Sequence, residues 1–263
     1  MTTLIEALQL ENGGVVSLVG AGGKTSLMFR LAAELAEAGR RVITTTTTKI
    51  LYPTAAQSRR VLVEADPHRL LERAVSAIEK HRHLTLAQPR PAAHPGKLTG
   101  LSPQLIDELW ALGRCDCILV EADGAAGRPL KAPADYEPVI CASTTCVVGV
   151  VGVRVLGRPA TEEWVFRLEH FCRVTGLSAG DPVDPRAVAR VLLSPEGIFK
   201  GAPHGARRAV FLNLAGDHRL SATARKIANQ LGRNRRRQPL WRAVIGNGLD
   251  TPAVLEYHDL VDG

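Results

Sequence analysis

The sequence predicts a three-layer α/β domain with a mostly parallel sheet. Short apolar runs alternate with helical patterns over most of the 263 residues, and this alternation is typical of β-α-β units. The run 117–120 is almost wholly apolar, as expected for a strand that is buried on both faces of a parallel sheet. The run 15–19 leads through a Gly-rich turn into a helical pattern. We therefore expect one domain over residues 1–263, with a more helical segment at about 157–205.

The remaining elements follow from local signals along the chain. Leu27, Leu31 and Leu35 recur at a spacing of four and predict a helix over 24–38. Asp66 can cap the next helix, and Pro67 suits its first position. Further strands are predicted at 42–48, 61–64, 84–86, 139–141, 146–153, 209–212 and 241–245. Further helices are predicted from 102 onward and at 162–174, 186–193 and 222–231, and 88–100 is predicted to be a loop.

Composition and charge limit the class of protein. Hydrophobic residues make up 45% of the chain and charged residues 22%, which excludes a fully disordered chain. The formal net charge of +7 favours anionic partners, whereas 4% aromatic residues disfavour a base-stacking nucleic-acid surface. The first residues lack a secretory pattern, and the longest apolar run, 146–153, is too short to span a bilayer. We expect a cytoplasmic protein with reduced thiols and no membrane partner.

The sharpest motif stands between the first strand and the helix that follows it. It reads GAGGKTS and comprises Gly20, Ala21, Gly22, Gly23, Lys24, Thr25 and Ser26. Glycines let backbone amides approach phosphate oxygens, and a helix N-terminus adds partial positive charge. In a phosphate-binding loop (P-loop) the lysine reaches the terminal phosphates, and the next hydroxyl ligates Mg²⁺. The spacing G-x-x-G-K-T is shorter than the usual G-x-x-x-x-G-K-[ST] and resembles the ATP-binding loop of Mur-type ligases. The alternative is a plain Gly-rich turn.

Two acids follow the apolar strand 117–120. Glu121 and Asp123 stand where a Walker B acid holds Mg²⁺ or its water shell, and an extended backbone would place both on one face. We favour Glu121 slightly as the acid nearer the metal. The spacing from Glu121 to Gly124 resembles the switch turn of the P-loop group that includes dethiobiotin synthetase. A strand exit in which Asp123 bonds its own backbone is the alternative.

Two further strand ends carry candidate ligand contacts. Ligands of open α/β sheets lie outside the carboxyl ends of the strands, so Thr47, Thr48 and Lys49 are candidates, although a β-branched strand without a ligand explains them equally well. Asn213 and Asp217 follow a late strand and are predicted to lie near the base. They do not form the guanine-selecting pattern N-K-x-D, so ATP is the favoured nucleotide.

These segments together resemble the YqeC family of accessory proteins for selenium-dependent molybdenum hydroxylases. The resemblance covers about residues 15–217 and depends on GAGGKTS, TTTTTKI, VEADGAAGRPLKAP and the DYEP that follows. It implies a P-loop NTPase-like fold, with a molybdenum hydroxylase or its cofactor-maturation proteins as partners. By resemblance Lys24 and Thr25 are nucleotide residues. Glu121 and Asp123 carry over in the same way as the acids.

The roles of Arg128 and Lys131 stay open. They stabilise phosphate charge, bind an anionic substrate or are solvated cations of a surface loop. At the level of the whole protein, three functions also stay open: a Mg²⁺-dependent NTPase, a small-molecule kinase or ATP-dependent ligase, and a nucleotide-switched chaperone that does not hydrolyse.

Three weaker signals remain. Cys115 and Cys117 are predicted to share a strand face, which invites selenium chemistry, although buried cysteines usually serve as small hydrophobes. His94 and Lys97 lie in a Pro-rich loop that is either a lid or a connection. A run of arginines indicates a solvated helix end. It has no interleaved aromatic residues, which disfavours a nucleic-acid partner. The run comprises Arg233, Arg235, Arg236 and Arg237.

Overall fold

The computed structural model describes residues 1–89, 96–234 and 239–260. Its strands are β1 (Gly14–Gly20), β2 (Val42–Thr46), β3 (Lys49–Leu51), β4 (Val61–Val63), β5 (His83–Ala87), β6 (Lys97–Thr99), β7 (Cys117–Glu121), β8 (Leu130–Lys131), β9 (Thr144–Gly152), β10 (Val165–Phe166), β11 (Arg207–Asn213), β12 (Leu240–Gly246) and β13 (Val254–Asp259). Its helices are α1 (Leu4–Leu8), α2 (Lys24–Glu37), α3 (Pro67–Ile78), α4 (Pro103–Ala111), α5 (Leu168–Thr175), α6 (Pro185–Leu193) and α7 (Ser221–Arg233).

The main sheet of the described residues has nine strands in the order β13-β12-β11-β9-β1-β7-β2-β5-β4. Every neighbouring pair in it is parallel except β12 and β13, which are antiparallel. Two small sheets stand apart from it: β3 pairs with β6 in antiparallel fashion, and β8 pairs with β10 in parallel. The predicted α/β fold with a mostly parallel sheet is confirmed.

Helices cover both faces of this sheet, because alternate residues of each strand point to opposite sides. On one face Val16 and Leu18 of β1 belong to a core that includes α1 and α2. On the other face Val15 packs in a core with α3 and α4, whereas Val19 packs in a core with α5, α6 and α7. The result is a helix–sheet–helix sandwich, with β1 buried along its whole length.

Several elements differ from the prediction because their partners are distant in the sequence. The segment 139–141 is not a strand, and the predicted loop 88–100 contains β6, which pairs with β3. The helix predicted at 162–174 begins only at Leu168, since Val165 and Phe166 pair with β8. The short helix α1 and the edge strand β13 had no predicted counterpart. Runs of two to six residues carry too little periodicity for detection without knowledge of the partner strand.

Some predictions fall outside the described residues. These are the proposed lid residue His94 and the arginines Arg235, Arg236 and Arg237. Across 1–89, 96–234 and 239–260, no helix combines the length and the apolar character that a membrane span requires.

Candidate functional site

Three neighbouring parallel strands end at one edge of the sheet. Strand β7 lies between β1 and β2, and Glu121 at its end is in register with Leu18 of β1 and with Thr46 of β2. The GAGGKTS loop, the two acids and the Thr run therefore meet, as expected for the carboxyl edge of an open sheet. A cleft of about 380 Å³ opens there. It is lined by Gly22, Gly23, Lys24, Thr25, Ser26, Lys49, Ile50, Leu51, Lys97, Glu121, Gly124, Ala125, Ala126, Gly127 and Arg128.

The loop between β1 and α2 has a backbone that requires glycine. Gly22 and Gly23 have φ values of +85° and +125°, which L side chains rarely adopt. A Cβ on Gly23 would lie 2.2 Å from Nδ2 of Asn213. No side chain caps the N-terminus of α2, so its first amides and its partial positive charge face the cleft.

Lys24 is buried at the start of α2, where both acids approach it. Its Nζ donates a 2.7 Å hydrogen bond to the carbonyl oxygen of Gly20. It lies 3.1 Å from Oδ1 of Asp123 and 3.9 Å from Oε1 of Glu121. Asp123 also accepts a 3.0 Å hydrogen bond from the amide of Gly20, so it bonds the loop rather than its own backbone. A phosphate at this position must compete with two carboxylates for the ammonium group.

Thr25 and Glu121 supply the oxygen donors for a divalent cation. The Thr25 hydroxyl donates a 2.6 Å hydrogen bond to Oε2 of Glu121. Burial raises the pKa of Glu121, while the Lys24 charge and the Thr25 hydrogen bond act in the opposite direction. Mg²⁺ prefers hard oxygen ligands and is usually held by one or two carboxylates together with substrate phosphates and water. The pair therefore fits Mg²⁺ held jointly with phosphate oxygens.

The described side chains do not complete a metal site by themselves. No group of three or more His, Cys, Asp or Glu side chains suited to a metal occurs in the described ranges. A cation at Thr25 and Glu121 would thus need further oxygen ligands from water or a bound phosphate.

Lys131 does not reach the cleft. Its side chain is fully buried, 3.1 Å from Oδ2 of Asp123 and 2.9 Å from Oε2 of Glu137. It also donates a 2.7 Å hydrogen bond to the carbonyl oxygen of Gly124. The Nε of Arg167 donates a 2.9 Å hydrogen bond to the same oxygen of Glu137. Positive and negative side chains thus alternate from the loop to the start of α5. We call this series the charge chain; it comprises Lys24, Asp123, Lys131, Glu137 and Arg167.

Glu137 owes its ionisation to this chain of charges. Burial alone would raise the pKa of Glu137, but the hydrogen bond from Arg167 and the charge of Lys131 outweigh it, so the pKa is lowered. Sequence reasoning gave Arg167 no role. The two residues are 30 positions apart, and no local pattern relates them.

The Thr run serves mainly to hold the backbone. The Thr46 hydroxyl donates a 2.7 Å hydrogen bond to the carbonyl oxygen of Glu121, and the Thr47 hydroxyl donates a 2.8 Å bond to that of Val139. The amide of Thr48 donates to the Thr46 hydroxyl. Of the three proposed contacts in this run, only Lys49 lines the cleft.

Both polar atoms of the Asn213 side-chain amide form hydrogen bonds with the protein backbone. Its Nδ2 donates a 2.7 Å hydrogen bond to the carbonyl oxygen of Gly22, and its Oδ1 accepts from the amide of Gly248 at 3.4 Å. Asn213 therefore fixes the shape of the phosphate loop. Asp217 caps a short turn through the amide of Arg219 and, like Asn213, does not line the cleft.

Arg128 lines the cleft, and its contact with a ligand stays a prediction. Its guanidinium donates hydrogen bonds to the carbonyl oxygens of Ala126 and Glu162. No salt bridge pairs it with an acid in the parts of the chain that the structure describes.

The predicted shared face of Cys115 and Cys117 is wrong. Strand β7 begins only at Cys117, and the two thiols pack in different cores, Cys115 with α4 and Cys117 with α2. Both are buried, and burial raises the pKa of Cys115 to about 11 and that of Cys117 further. Neither thiol lines the cleft.

The fold and these motifs can be set beside known proteins. Two solved structures resemble the chain at a distance. FtsY from Mycoplasma mycoides is 12% identical, with a TM-score of 0.41, over 91% of this chain and 63% of that structure. Cyanophage S-2L succinoaminodeoxyadenylate synthetase (PurZ), solved with dGMP and dATP, is 14% identical, with a TM-score of 0.38, over 92% of this chain and 95% of that one. The chain thus spans less than two thirds of the FtsY structure, and likenesses this distant assign no activity.

Sequence comparison gives a closer relationship. The family model described as "YqeC protein" matches residues 16–169, which include the phosphate loop, the two acids and the charge chain. "Uncharacterized protein YqeC" from Escherichia coli is 40% identical over 205 residues, which are 76% of this chain and 75% of that protein. The chain therefore belongs to the YqeC protein family.

Proposed function

We propose that this protein binds a nucleoside triphosphate together with Mg²⁺ at the cleft and hydrolyses it. One observation carries the proposal: the uncapped start of α2, buried Lys24 and the hydrogen-bonded pair Thr25–Glu121 converge on one edge of the sheet. Backbone amides, an ammonium group and an oxygen pair are the three components that a polyphosphate with Mg²⁺ requires. ATP is proposed ahead of GTP because Leu214 stands where the guanine-selecting pattern has its lysine.

Each group has a distinct role in this proposal. The loop amides and Lys24 bind the phosphates and offset their charge as it redistributes during transfer. Thr25 and Glu121 hold Mg²⁺, which supplies Lewis acidity when it is bound. Asp123 positions Lys24 and the loop amide of Gly20 rather than the metal. The turn from Gly124 to Gly127 lines the cleft and is placed to respond to the terminal phosphate.

The cellular role is proposed from the family resemblance alone. We infer that nucleotide turnover serves the maturation of a selenium-dependent molybdenum hydroxylase, with that enzyme or its maturation proteins as partners. All five cysteines are free thiols, which supports a reducing compartment such as the cytoplasm. Two alternatives remain candidates. One is a nucleotide-switched chaperone. The other is a kinase or ligase, which is favoured by the cations Lys49, Lys97 and Arg128 that line the cleft and suit an anionic substrate.

Calorimetric titration of ATP, GTP and CTP with Mg²⁺ tests the site. We expect one nucleotide to bind the wild type, and Lys24→Ala to weaken it by about a hundredfold, since a charged hydrogen bond is lost. Thr25→Val should weaken binding about tenfold with Mg²⁺ and leave metal-free binding unchanged, because the hydroxyl acts through the cation. Thr25→Ser should restore the wild-type affinity.

Lys226→Ala is the matched control, because this exposed lysine lies on α7 outside the cleft. Its affinity for the nucleotide should equal that of the wild type. If no nucleotide binds the wild type, or if Lys24→Ala binds as tightly, the proposal is wrong. Release of phosphate from the bound nucleotide then separates an NTPase from a chaperone that only binds.

A further inference from the structure

Part of the cleft wall is a small two-stranded platform. In it β3 and β6 pair so that Ile50 faces Leu98 and Leu51 faces Lys97. Ile50 and Leu98 are buried in the core beneath the platform. Residues alternate between faces along a strand, so Lys49, Leu51 and Lys97 share the other face. All three line the cleft, to which Ile50 also contributes.

The platform is held firmly against the main sheet. The amide of Gly100 donates a 2.8 Å hydrogen bond to the carbonyl oxygen of Thr48, and Thr99 and Gln88 exchange backbone hydrogen bonds of 3.2 and 2.9 Å. A Cβ on Gly100 would lie 2.2 Å from the carbonyl oxygen of Thr46, so the two backbones approach as only glycine allows. The exposed face of the platform is therefore presented at a fixed position.

Two cations share that face without an acid between them. Lys49 and Lys97 are diagonal neighbours, with Cβ atoms about 7 Å apart in such pairs. Within the described ranges neither forms a salt bridge, whereas the salt bridges of Lys24 and Lys131 are with buried acids. Among the residues that the structure describes, Glu121 is the single acid that lines the cleft, and the Lys97 charge acts on it from a distance. Like charges on one face repel, so an anionic ligand would stabilise this arrangement.

The position of these cations separates them from the groups that the nucleotide would use. The triphosphate already has the amides of α2, Lys24 and the cation held by Thr25 and Glu121. Lys49 and Lys97 belong to the platform strands β3 and β6, whereas Lys24 and Thr25 belong to α2. Leu51, which is 65% exposed, adds an apolar contact beside them.

We propose that the platform binds a second ligand: a small molecule that carries a carboxylate or phosphate group, held by Lys49 and Lys97 beside Leu51. This inference rests on the proposed function, because the second ligand lies beside the nucleotide. It deepens that function by naming a substrate class, an oxyanion-bearing acceptor or effector.

The test uses the full chain saturated with Mg²⁺ and a non-hydrolysable ATP analogue, so that the phosphate loop is occupied. Succinate and inorganic phosphate are then titrated in separate experiments, followed by amide chemical shifts. We expect saturable binding of at least one probe, with shifts centred on β3 and β6. The double variant Lys49→Ala/Lys97→Ala should weaken that probe about tenfold more than it weakens the nucleotide analogue, since two charged contacts are lost. Lys226→Ala should change neither affinity.

The outcomes separate the two proposals. If the analogue itself does not bind, the proposed function fails before the second ligand is tested. If the analogue binds but neither probe saturates, or if the double variant weakens both ligands equally, the second site is overturned and the lysines belong to the nucleotide. Preference for succinate indicates a carboxylate substrate, and preference for phosphate indicates a phosphorylated one.

Discussion

The ammonium group of Lys131 lies 3.1 Å from Oδ2 of Asp123, and both side chains are almost completely inaccessible to solvent. Asp123 also lies 3.1 Å from Lys24, so this carboxylate is shared between two lysines. Glu121, by contrast, accepts the hydroxyl of Thr25 and lines the cleft. The two acids of one short motif have therefore separated into a positioning group and a candidate metal ligand.

Removal of Lys131 should destabilise the fold strongly. In Lys131→Met, the carboxylates of Asp123 and Glu137 remain buried without their shared cation, and breaking a buried ion pair in this way costs about 3–5 kcal/mol. Urea unfolding measures the change in the free energy of unfolding. Adding Glu137→Gln to Lys131→Met should recover part of the loss, because it removes the repulsion between the two buried carboxylates that Lys131 bridges.

Lys226→Met is the control for this series, since its lysine is exposed on α7 and surface charges contribute little. A loss below about 1 kcal/mol in Lys131→Met would be several times smaller than the cost of breaking a buried ion pair. That result would mean that the charge chain is not what holds this region together.

Gly23→Ala should reduce nucleotide affinity by more than about tenfold. The new Cβ would lie 2.2 Å from Nδ2 of Asn213 at a φ of +125°, so the loop and the Asn213 contact to Gly22 must shift. Gly39→Ala separates strain from this clash, because Gly39 also has a positive φ, +82°, but has nothing within 4 Å of the added Cβ. It should cost about 1 kcal/mol in stability and leave nucleotide affinity unchanged. Equal affinities in the two variants would contradict the assignment of the loop.

Stability should fall as the pH decreases from about 6.5 to 4, because of His83. Burial lowers the pKa of His83 to about 4, whereas the unfolded chain protonates near 6.5. In that window the unfolded state binds a proton that the folded state does not, so the free energy of unfolding decreases as the pH falls, by at most about 3 kcal/mol. Urea unfolding between about pH 5 and 6.5 measures this decrease in the free energy of unfolding. The lowered pKa of Glu137 affects stability only below that range.

His83→Gln should flatten this pH dependence, since glutamine does not titrate and can keep a hydrogen bond to Thr44, which lies 3.0 Å from Nε2 of His83. His81→Gln is the control, because His81 is exposed near the end of α3. An unchanged slope in His83→Gln would show that another group is responsible.

At most one of the five thiols should react rapidly with a disulfide reagent while the protein is folded. Burial raises the pKa of Cys115, Cys117, Cys141 and Cys146, and reaction needs an accessible thiolate. Cys172 is only half-buried and should react first. Ellman's reagent at about pH 8 counts the reactive groups, and all five should react in guanidinium. Fast reaction of Cys115 or Cys117 in the folded protein would contradict this prediction and would make these two thiols candidates for selenium chemistry.

The local motifs could be predicted because their chemistry is local. A strand, three glycines, Lys24 and Thr25 are contiguous, so spacing alone predicts a loop that opens a helix. The apolar run before Glu121 identifies a central strand in the same way. The sandwich itself follows from repeated alternation of strands and helices, which leaves few arrangements open.

Contacts between distant segments could not be predicted in this way. Lys97 reaches the cleft because β6 pairs with β3, which lies far upstream in the chain, and a three-residue strand has no detectable periodicity. Asn213 contacts the phosphate loop across 191 positions. Both contacts depend on the order of the strands, which local patterns do not reveal.

The sequence by itself determined which groups this protein has for phosphate chemistry: a Gly-rich turn, Lys24, Thr25 and two acids after a buried strand. Only the tertiary structure decided how they are divided. It placed Glu121 beside Thr25, enclosed Asp123 between two lysines, and buried Lys131 away from the cleft. The reason is electrostatic: a charge removed from water needs a partner, and the folded arrangement of the chain decides which charged groups come together.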